Sequence, residues 1–480
     1  MHYNWLVLAI VFIPVVGAFF LPLASRVSLR FRNIAAFVLV FSSFILSLKL
    51  IPLVLSGKTV LFTREFILGF NFTLLADNLA VFMACVSSLI SSIIVLYSFG
   101  YISHYENQNE YYCMVVLFLG SMMGLVFSAN LILLYLFWEI TAITSWRLIG
   151  FFREKNYILK ADKSFLVTVF GALVMLIGFI NIYQQTGTFD MISIRWLLKD
   201  PISNIAVLLI LVGILSKSAT LPFHTWLPDA GVAPSPVTAL LHAAVLVKIG
   251  VYVFARLFLV TFTLPDIWHT LIPIIAATSA IVAACAALIE TDLKRIIAYS
   301  TISQIGFIFF GFALGNTLGI AGALLYILMH GLAKAGLFLC AGIVEQNTKI
   351  KDITKLGGLI KTMPITAVAF LFCAFSVMGI PPFGGFFSKY LVFAGALEAR
   401  QIWIGSVFLF GAFLTIIYLF RVFNLVFLSE AKAPLVKEAS PVMIFSVALL
   451  GLLSLFSGIF INYPSFFVQR TVMQIASVAR

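Results

Sequence analysis

The chain has 480 residues, of which 62% are hydrophobic and only 10% are charged, and its mean hydropathy is +1.13. This composition excludes an ordinary soluble domain, which carries about 25% charged residues. The formal net charge of +12 does not indicate nucleic-acid binding, because dispersed Lys and Arg residues in an apolar chain usually report membrane topology. We expect an all-α polytopic membrane protein, since helices satisfy their own backbone hydrogen bonds in lipid and continuous apolar runs do not fit a β-barrel.

About fourteen transmembrane helices are predicted when each apolar run of ~20 residues counts as one span. The first run lacks the basic start of a cleavable signal peptide and is taken as the first span. Four units follow: an N-terminal three-helix segment (1–110), two five-helix units (111–258 and 270–427), and a C-terminal helix with a tail (428–480). The predicted spans are 4–23, 33–55, 77–99, 111–128, 131–150, 163–184, 202–221, 236–258, 270–289, 296–315, 318–343, 364–397, 403–427 and 441–461.

The distribution of basic residues predicts the orientation of these spans. If the N-terminus lies outside, the inside segments hold about twice as many Lys and Arg residues as the outside segments. We therefore expect a multi-pass protein of the cell (inner or cytoplasmic) membrane with both termini outside.

Two of the predicted spans are interrupted by proline. One reads ILSKSATLPFHTWLPD, with Lys217 shortly before Pro222, and the other reads FSVMGIPPFGGFFSKY, with Pro381 and Pro382 before Lys389. Proline removes a backbone donor and clashes with the preceding turn, so each helix should break there. Broken helices at matching places in two halves indicate an inverted-repeat transporter. The alternative is that Pro and Gly are simply frequent in membrane helices.

Ionisable side chains occur inside or at the edge of long apolar runs. A charge at mid-bilayer costs at least ~2.5–3.5 kcal/mol, so such residues usually mark a polar pathway. A single one could extend to the headgroups, but their presence on separate segments predicts a conduit for protons or ions. They are Glu139, Lys217, Lys248, Lys334 and Lys389.

Individual roles follow from the neighbours of these residues. Glu139 and Lys217 are interpreted as a switchable ion pair whose separation releases the lysine proton, and the alternative is a static structural pair. Lys248 is interpreted as a proton relay, and His242, six residues earlier, is a supporting candidate that could equally bond a backbone carbonyl.

The second unit carries a similar set of candidates. His330 and Lys334 are four residues apart on one helix face, where both can hold water and pass protons. Lys334 is the supporting member of this pair. Lys389 directly follows the second break, which suggests a polar mouth open to one side of the membrane.

Motifs for cofactor or metal chemistry do not occur in the sequence. It has no GxxxxGK[ST] phosphate loop, no dinucleotide glycine fingerprint that opens a helix, and no CxxCH haem motif. The histidines lack zinc-type spacing, and the 5 cysteines lie in apolar stretches as small core residues. We therefore predict no bound cofactor, no metal and no catalytic residue in this chain.

Five stretches, in this order, resemble the antiporter-like subunit family. This family comprises the pumping membrane subunits of respiratory complex I, the large subunits of Mrp-type Na⁺/H⁺ antiporters and their relatives in membrane-bound hydrogenases. The similarity covers roughly residues 75–425. The stretches are NLILLYLFWEITAITS, LPFHTWLPDAGVAPSPVTALLHAAVLVKIGVY, TDLKRIIAYSTISQIG, HGLAKAGLFLCAG and GIPPFGGFFSKY.

The resemblance implies fourteen helices with two inverted five-helix repeats, two broken helices and a row of polar residues along the membrane midplane. One departure is Arg147, an added cation that could bias the environment of Glu139. The residues that match the family's translocating positions are the fifth-helix glutamate Glu139, the seventh-helix lysine Lys217, the eighth-helix lysine Lys248, the eleventh-helix histidine His330 and the twelfth-helix residue Lys389.

These observations predict an ion-translocating, antiporter-like subunit of a multisubunit membrane complex. In the main interpretation it couples redox chemistry in peripheral partner subunits, of the complex I-like NADH dehydrogenase or membrane-bound hydrogenase type, to proton or sodium transport. The alternative is a subunit of an Mrp-type Na⁺/H⁺ antiporter without redox partners, and a third possibility is a non-conducting scaffold. The expected partners are other membrane subunits, including further antiporter-like subunits, lipid, H⁺ and, as a second ion, Na⁺.

Overall fold

The computed structural model describes residues 3–65, 71–432 and 436–478, and most of these residues are helical. In the first half, π-helical turns join α10 to α11 (Leu240–Ala244) and extend α11 (Arg256–Thr261). The helices are α1 (Asn4–Val27), α2 (Leu29–Leu55), α3 (Asn78–Tyr101), α4 (Gln108–Phe127), α5 (Leu131–Ile149), α6 (Lys155–Thr186), α7 (Met191–Leu197), α8 (Asn204–Lys217), α9 (Trp226–Asp229), α10 (Ser235–Ala239) and α11 (Leu246–Ala255).

The second half has fewer short elements. Its last long span is extended by a π-helical turn, Asn424–Leu428. The helices are α12 (Trp268–Ile289), α13 (Leu293–Ala313), α14 (Thr317–Thr348), α15 (Pro364–Met378), α16 (Gly384–Glu398), α17 (Ile402–Phe423), α18 (Pro441–Ile459) and α19 (Asn462–Val478). Short 3₁₀ turns occur at Ile102–His104, Ala230–Val232, Ile353–Lys355 and Leu359–Lys361.

The number and length of the apolar helices identify a multi-pass membrane protein. In the described part of the chain, 12 helical segments are long and apolar enough to cross a membrane. The two shorter apolar helices, α8 and α15, are the first parts of the two interrupted spans. The helical membrane fold is therefore confirmed, whereas the total of fourteen spans stays a prediction.

Both predicted breaks are present. Helix α8 ends at Lys217, and the chain passes Pro222 before α9 begins. Helix α15 ends at Met378, and α16 begins after the Pro381–Pro382 pair. Gly379, which caps α15, has φ +84°, a left-handed conformation that favours glycine.

The order of elements recurs along the chain. The residue before α5, Asn130, caps that helix with its side chain and forms an isolated β-bridge to Asp190. The residue before α13, Asp292, likewise caps its helix and bridges Asp352 at the same separation in sequence. This recurrence agrees with two repeated units, but the boundaries 111–258 and 270–427 and their inverted orientation stay predictions.

Two elements were not predicted. Strands β1 (Val60–Glu65) and β2 (Asn71–Ala76) form an antiparallel hairpin between α2 and α3, so the all-α expectation missed a small sheet. Helix α19 occupies the predicted C-terminal tail. It buries Val468 and Val472, four residues apart, as an amphipathic helix does.

Burial separates a central set of helices from a peripheral set. Helices α3, α4, α10–α11, α13 and α14 are buried on nearly all sides, whereas α1, α2, α6, α17 and α18 expose large apolar side chains. The central helices carry most of the candidate residues, so these residues lie in the interior of the helical bundle. Met1 and Arg480 lie outside the described residues, and the predicted outside location of both termini stays a prediction.

Candidate ion-translocation site

A buried lysine–histidine pair joins two of the central helices, α11 and α14. Lys248 on α11 and His330 on α14 are fully buried, and Nζ of Lys248 lies 2.9 Å from Nδ1 of His330. No acidic side chain of the described residues forms an ion pair with either of them. A charged lysine and a doubly protonated histidine both have only donors, so they could not bond to each other. One of the two nitrogens, Nζ of Lys248 or Nδ1 of His330, must therefore be unprotonated and accept the hydrogen bond. The pair can therefore hold a proton that either partner can release.

His242 lies close to this pair in the π-helical turn Leu240–Ala244. It packs on Phe338 with ring centroids 4.3 Å apart, and neither of its ring nitrogens has a partner among the described residues. Nε2 of His330 also lacks one. Buried polar groups of this kind usually bind ordered water, and π-helical turns are frequent at functional sites. The geometry thus keeps His242 as a supporting candidate.

Lys334 does not bond to His330, although both residues are on α14. Its ammonium donates to Oγ of Ser300 at 2.6 Å and to the carbonyl oxygen of Ile297 at 3.2 Å, both on α13. The two residues that were predicted to act as a pair therefore have different partners. Lys334 connects α14 to the polar side chains of α13 and α17.

These polar side chains form a hydrogen-bonded chain that the sequence analysis missed. The Tyr418 hydroxyl donates to Ser300 at 2.7 Å and lies 3.3 Å from Oγ1 of Thr415. The Gln304 amide donates to Thr415 at 3.1 Å and accepts from the Tyr326 hydroxyl at 2.5 Å. All five side chains are buried. One sequence signal for this chain of hydrogen bonds was available: Ser300 and Gln304 are polar residues spaced four apart, on one face of the apolar helix α13.

Lys389 lies at the second break, as predicted. Its Nζ donates to the carbonyl oxygen of Val377 in the last turn of α15 at 2.7 Å. The same nitrogen is 4.8 Å from the ring centroid of Phe307 and 5.7 Å from that of Tyr326. The negative end of the α15 dipole and the aromatic faces stabilise the ammonium. Tyr326 thus places Lys389 next to the hydrogen-bonded chain.

Lys217 has a similar environment at the first break. It is the last residue of α8, is fully buried, and donates to the carbonyl oxygen of Trp138 at 3.3 Å. Glu139 directly follows Trp138 in α5. Among the described residues, Glu139 and Lys217 do not form a direct ion pair. The structure therefore brings the two residues together without closing the predicted pair, and the switching role stays a prediction.

Charged residues outside the spans form a network that was also missed. Asp229, at the end of α9, accepts from Lys163 at 2.7 Å and from Arg295 at 2.8 Å, and Arg295 also pairs with Glu290 at 2.8 Å. Burial alone would raise the pKa of Asp229, but the hydrogen bonds from Lys163 and Arg295 hold it below its usual range. The network ties the first break to the start of α13.

Two charged residues near span ends pair with partners on other helices. Arg147, which the sequence analysis placed near Glu139, pairs with Glu110 on α4. Asp77, directly before α3, is buried against Arg256. The long arginine side chains thus turn toward carboxylates on neighbouring helices.

The central part of the chain matches a known family. Residues 128–415 match the family model described as NADH:quinone oxidoreductase/Mrp antiporter, TM. Residues 66–112 match the model described as NADH-Ubiquinone oxidoreductase (complex I), chain 5 N-terminus. All seven candidate residues of the site lie within the first match.

Curated relatives extend the similarity to nearly the whole chain. One of them, an Na(+)/H(+) antiporter subunit of Alkalihalophilus pseudofirmus, is 35% identical over 96% of this chain and 62% of its own length. Another, an Na(+)/H(+) antiporter subunit of Staphylococcus aureus, is 34% identical over 94% of this chain and 60% of its own length. The chain thus spans only about three fifths of these relatives.

Solved structures share the fold. A chain of the Mrp complex from Dietzia sp. DQ12-45-1b superposes with a TM-score of 0.90 at 21% identity, over 100% of both chains. A chain of the membrane-bound sulfane sulfur reductase, an archaeal respiratory membrane complex, gives a TM-score of 0.91 at 23% identity over 98% of both chains. The match to the first family model, over residues 128–415, covers more than half of this chain. The chain therefore belongs to the NADH:quinone oxidoreductase/Mrp antiporter transmembrane family.

Proposed function

We propose that this chain is the ion-translocating, antiporter-like subunit of a multisubunit Na⁺/H⁺ antiporter that works without a redox partner. The observation that carries the proposal is the buried Lys248–His330 bond, which has no acidic partner among the described residues. Burying a cation without a counter-charge is costly, so the presence of a lysine there points to proton carriage. The names of the curated relatives favour a sodium/proton antiporter over a redox-driven pump.

Proton transfer in this proposal runs along the buried polar row. Lys248 and His330 share a proton, and Tyr326 lies beside both the His330 ring, at 5.9 Å between centroids, and Lys389. Protons pass between the central pair and Lys389 through this region, with water beside His242 and His330. Formation and separation of a Glu139–Lys217 ion pair resets the row electrostatically. No bound cofactor takes part.

A redox-driven pump module is the second candidate function. The chain shares its fold with a subunit of a respiratory membrane complex, and its family description includes NADH:quinone oxidoreductase. In that case peripheral redox subunits would supply the driving energy. The two candidates differ in the partners that they require.

The remaining features of the proposal concern the surroundings of the chain. We propose that it lies in the cell membrane with both termini outside and with the two units 111–258 and 270–427 inverted. Other membrane subunits, including a further antiporter-like chain, would cover the α5 face on which Glu139 is partly exposed beside Leu136 and Ile143. Lipid surrounds the rest, and H⁺ and Na⁺ are the transported ions.

The test combines composition with transport. The complex is purified through this chain in mild detergent and its subunits are identified by intact mass spectrometry. Everted vesicles from a host without its own sodium/proton antiporters are then assayed for a sodium-triggered pH change. We expect only membrane subunits and a sodium response that Lys248→Met removes and Lys361→Met, at an exposed lysine, retains. Iron–sulfur or nickel-iron subunits, with no sodium response, would refute the antiporter and support the redox-driven pump.

A further inference from the structure

Three buried residues on α11 and its π-helical extension form a column that leads away from the central pair. Lys248, Tyr252 and Arg256 are spaced four residues apart and share one helix face, with a rise of about 6 Å between neighbours. All three are buried. The column begins at the Lys248–His330 bond and ends beside α3, near the hairpin and α19.

An ion pair closes the far end of this column. The Arg256 guanidinium donates to both carboxylate oxygens of Asp77, at 2.5 and 2.7 Å, and its Nε donates to the Tyr252 hydroxyl at 2.9 Å. The Tyr252 hydroxyl in turn donates to the carbonyl oxygen of Val126 at the end of α4. A buried ion pair contributes little net stability over apolar residues of the same volume. Its presence here therefore calls for another explanation.

A cavity of about 190 Å³ adjoins the ion pair. Its lining includes Asp77, the exposed Thr59 before β1, Gln474 of α19 and Arg195. This volume holds several water molecules at ~30 Å³ each. The guanidinium groups of Arg195 and Arg256 disfavour a bound metal cation, whereas protons can cross such a site through water and the carboxylate.

We propose that this cavity is an aqueous mouth for protons and that Tyr252 and Asp77 connect it to Lys248; this inference rests on the proposed function. When the Asp77–Arg256 pair opens, the Tyr252 hydroxyl turns from the Val126 carbonyl and passes its proton, directly or through water, to the Asp77 carboxylate. Lys248, one helical turn away, replaces that proton on the Tyr252 oxygen, directly or through water. Lys248 becomes neutral, Tyr252 is unchanged, and Asp77 becomes a carboxylic acid that releases its proton to water in the cavity. The reverse sequence loads Lys248.

The first test blocks the cavity after the protein has folded. Thr59→Cys places a thiol in the cavity wall, and Thr63→Cys places one on the exposed side of the same hairpin, outside the cavity. Right-side-out vesicles containing the whole complex are treated with a bulky, membrane-impermeant methanethiosulfonate, and the wild type controls for the native cysteines. We expect labelling of Thr59→Cys to remove most of the sodium-dependent proton flux, while labelled Thr63→Cys and the wild type keep theirs.

The second test removes the connecting hydroxyl. Tyr252→Phe should lower the flux on the order of tenfold or more, as loss of a positioned proton-transfer group does, with normal amounts of assembled complex. Tyr97→Phe is the matched control, because Tyr97 is also buried and donates to a backbone carbonyl, at 2.9 Å, on another helix.

The outcomes separate the mouth from the proposed function. Full flux in labelled Thr59→Cys, or equal flux in Tyr252→Phe and Tyr97→Phe, would overturn the mouth while leaving the antiporter proposal standing. No sodium-dependent flux in the unlabelled wild-type complex would refute the proposed function itself.

Discussion

Replacing Lys248 with methionine should stop transport while leaving the complex folded and at least as stable as the wild type. The lysine is fully buried and bonds to His330. Methionine has a similar volume and an unbranched, flexible side chain, so it can fill the same space without a large cavity.

The expected change in stability follows from two opposing contributions. Losing the hydrogen bond to His330 costs about 1.5–3 kcal/mol, because a charged donor is removed. Removing the buried ammonium relieves a desolvation penalty of several kcal/mol. The net change in the free energy of unfolding should therefore be near zero or stabilising. Transport should fall by about a hundredfold or more, since the proton carrier itself is gone.

The assay measures both quantities on the same preparation. Thermal unfolding of the purified complex gives Tm, and vesicles give the sodium-dependent proton flux. Lys361→Met controls for the loss of an exposed lysine. Unchanged flux in Lys248→Met would refute the role of proton carrier. A large fall in Tm together with the lost flux would show that Lys248 is a structural residue.

Three further variants probe the row and the network at the first break. Glu139→Gln should abolish most coupled flux without preventing assembly, and wild-type flux in vesicles would contradict the ion-pair switch. Lys334→Ala should lower the flux only partly, because Lys334 bonds Ser300 and not His330; complete loss would place Lys334 in the main pathway. Asp229→Asn should lower the free energy of unfolding by about 1–2 kcal/mol at pH 7. Lys163 and Arg295 hold the pKa of Asp229 below its usual range despite burial. The difference in unfolding free energy between the wild type and Asp229→Asn should therefore be complete above pH ~4, the unfolded-state pKa. It should vanish as the pH falls through the lower folded-state pKa. A difference in Tm that grows on acidification would contradict this.

Features that depend on a single residue type could be predicted from the sequence. The breaks at Pro222 and at Pro381 follow from the missing backbone donor, which acts locally. Charges inside apolar runs are equally visible, so Lys248 and Lys389 were identified without a structure.

Features that depend on packing between distant segments could not be predicted. The bond from Lys248 to His330 joins two helices that only the tertiary fold brings together. Thr415 was missed because, in the sequence, it cannot be told from a buried threonine such as Thr301, whose hydroxyl bonds only its own helix. The bond that Thr415 accepts from Gln304 joins two helices that are distant in sequence. The contact of Arg256 with Asp77 likewise depends on the π-helical extension of α11, which the sequence does not predict.

Proteoliposomes that contain only the purified complex, without an electron donor, test the central claim most directly. A sodium gradient is imposed across the membrane and the internal pH is followed. The account predicts a pH change that requires the sodium gradient, persists without reductant and disappears in Lys248→Met. Proton movement that occurs only when an electron donor is oxidised, or sodium-driven flux that Lys248→Met leaves intact, would contradict it.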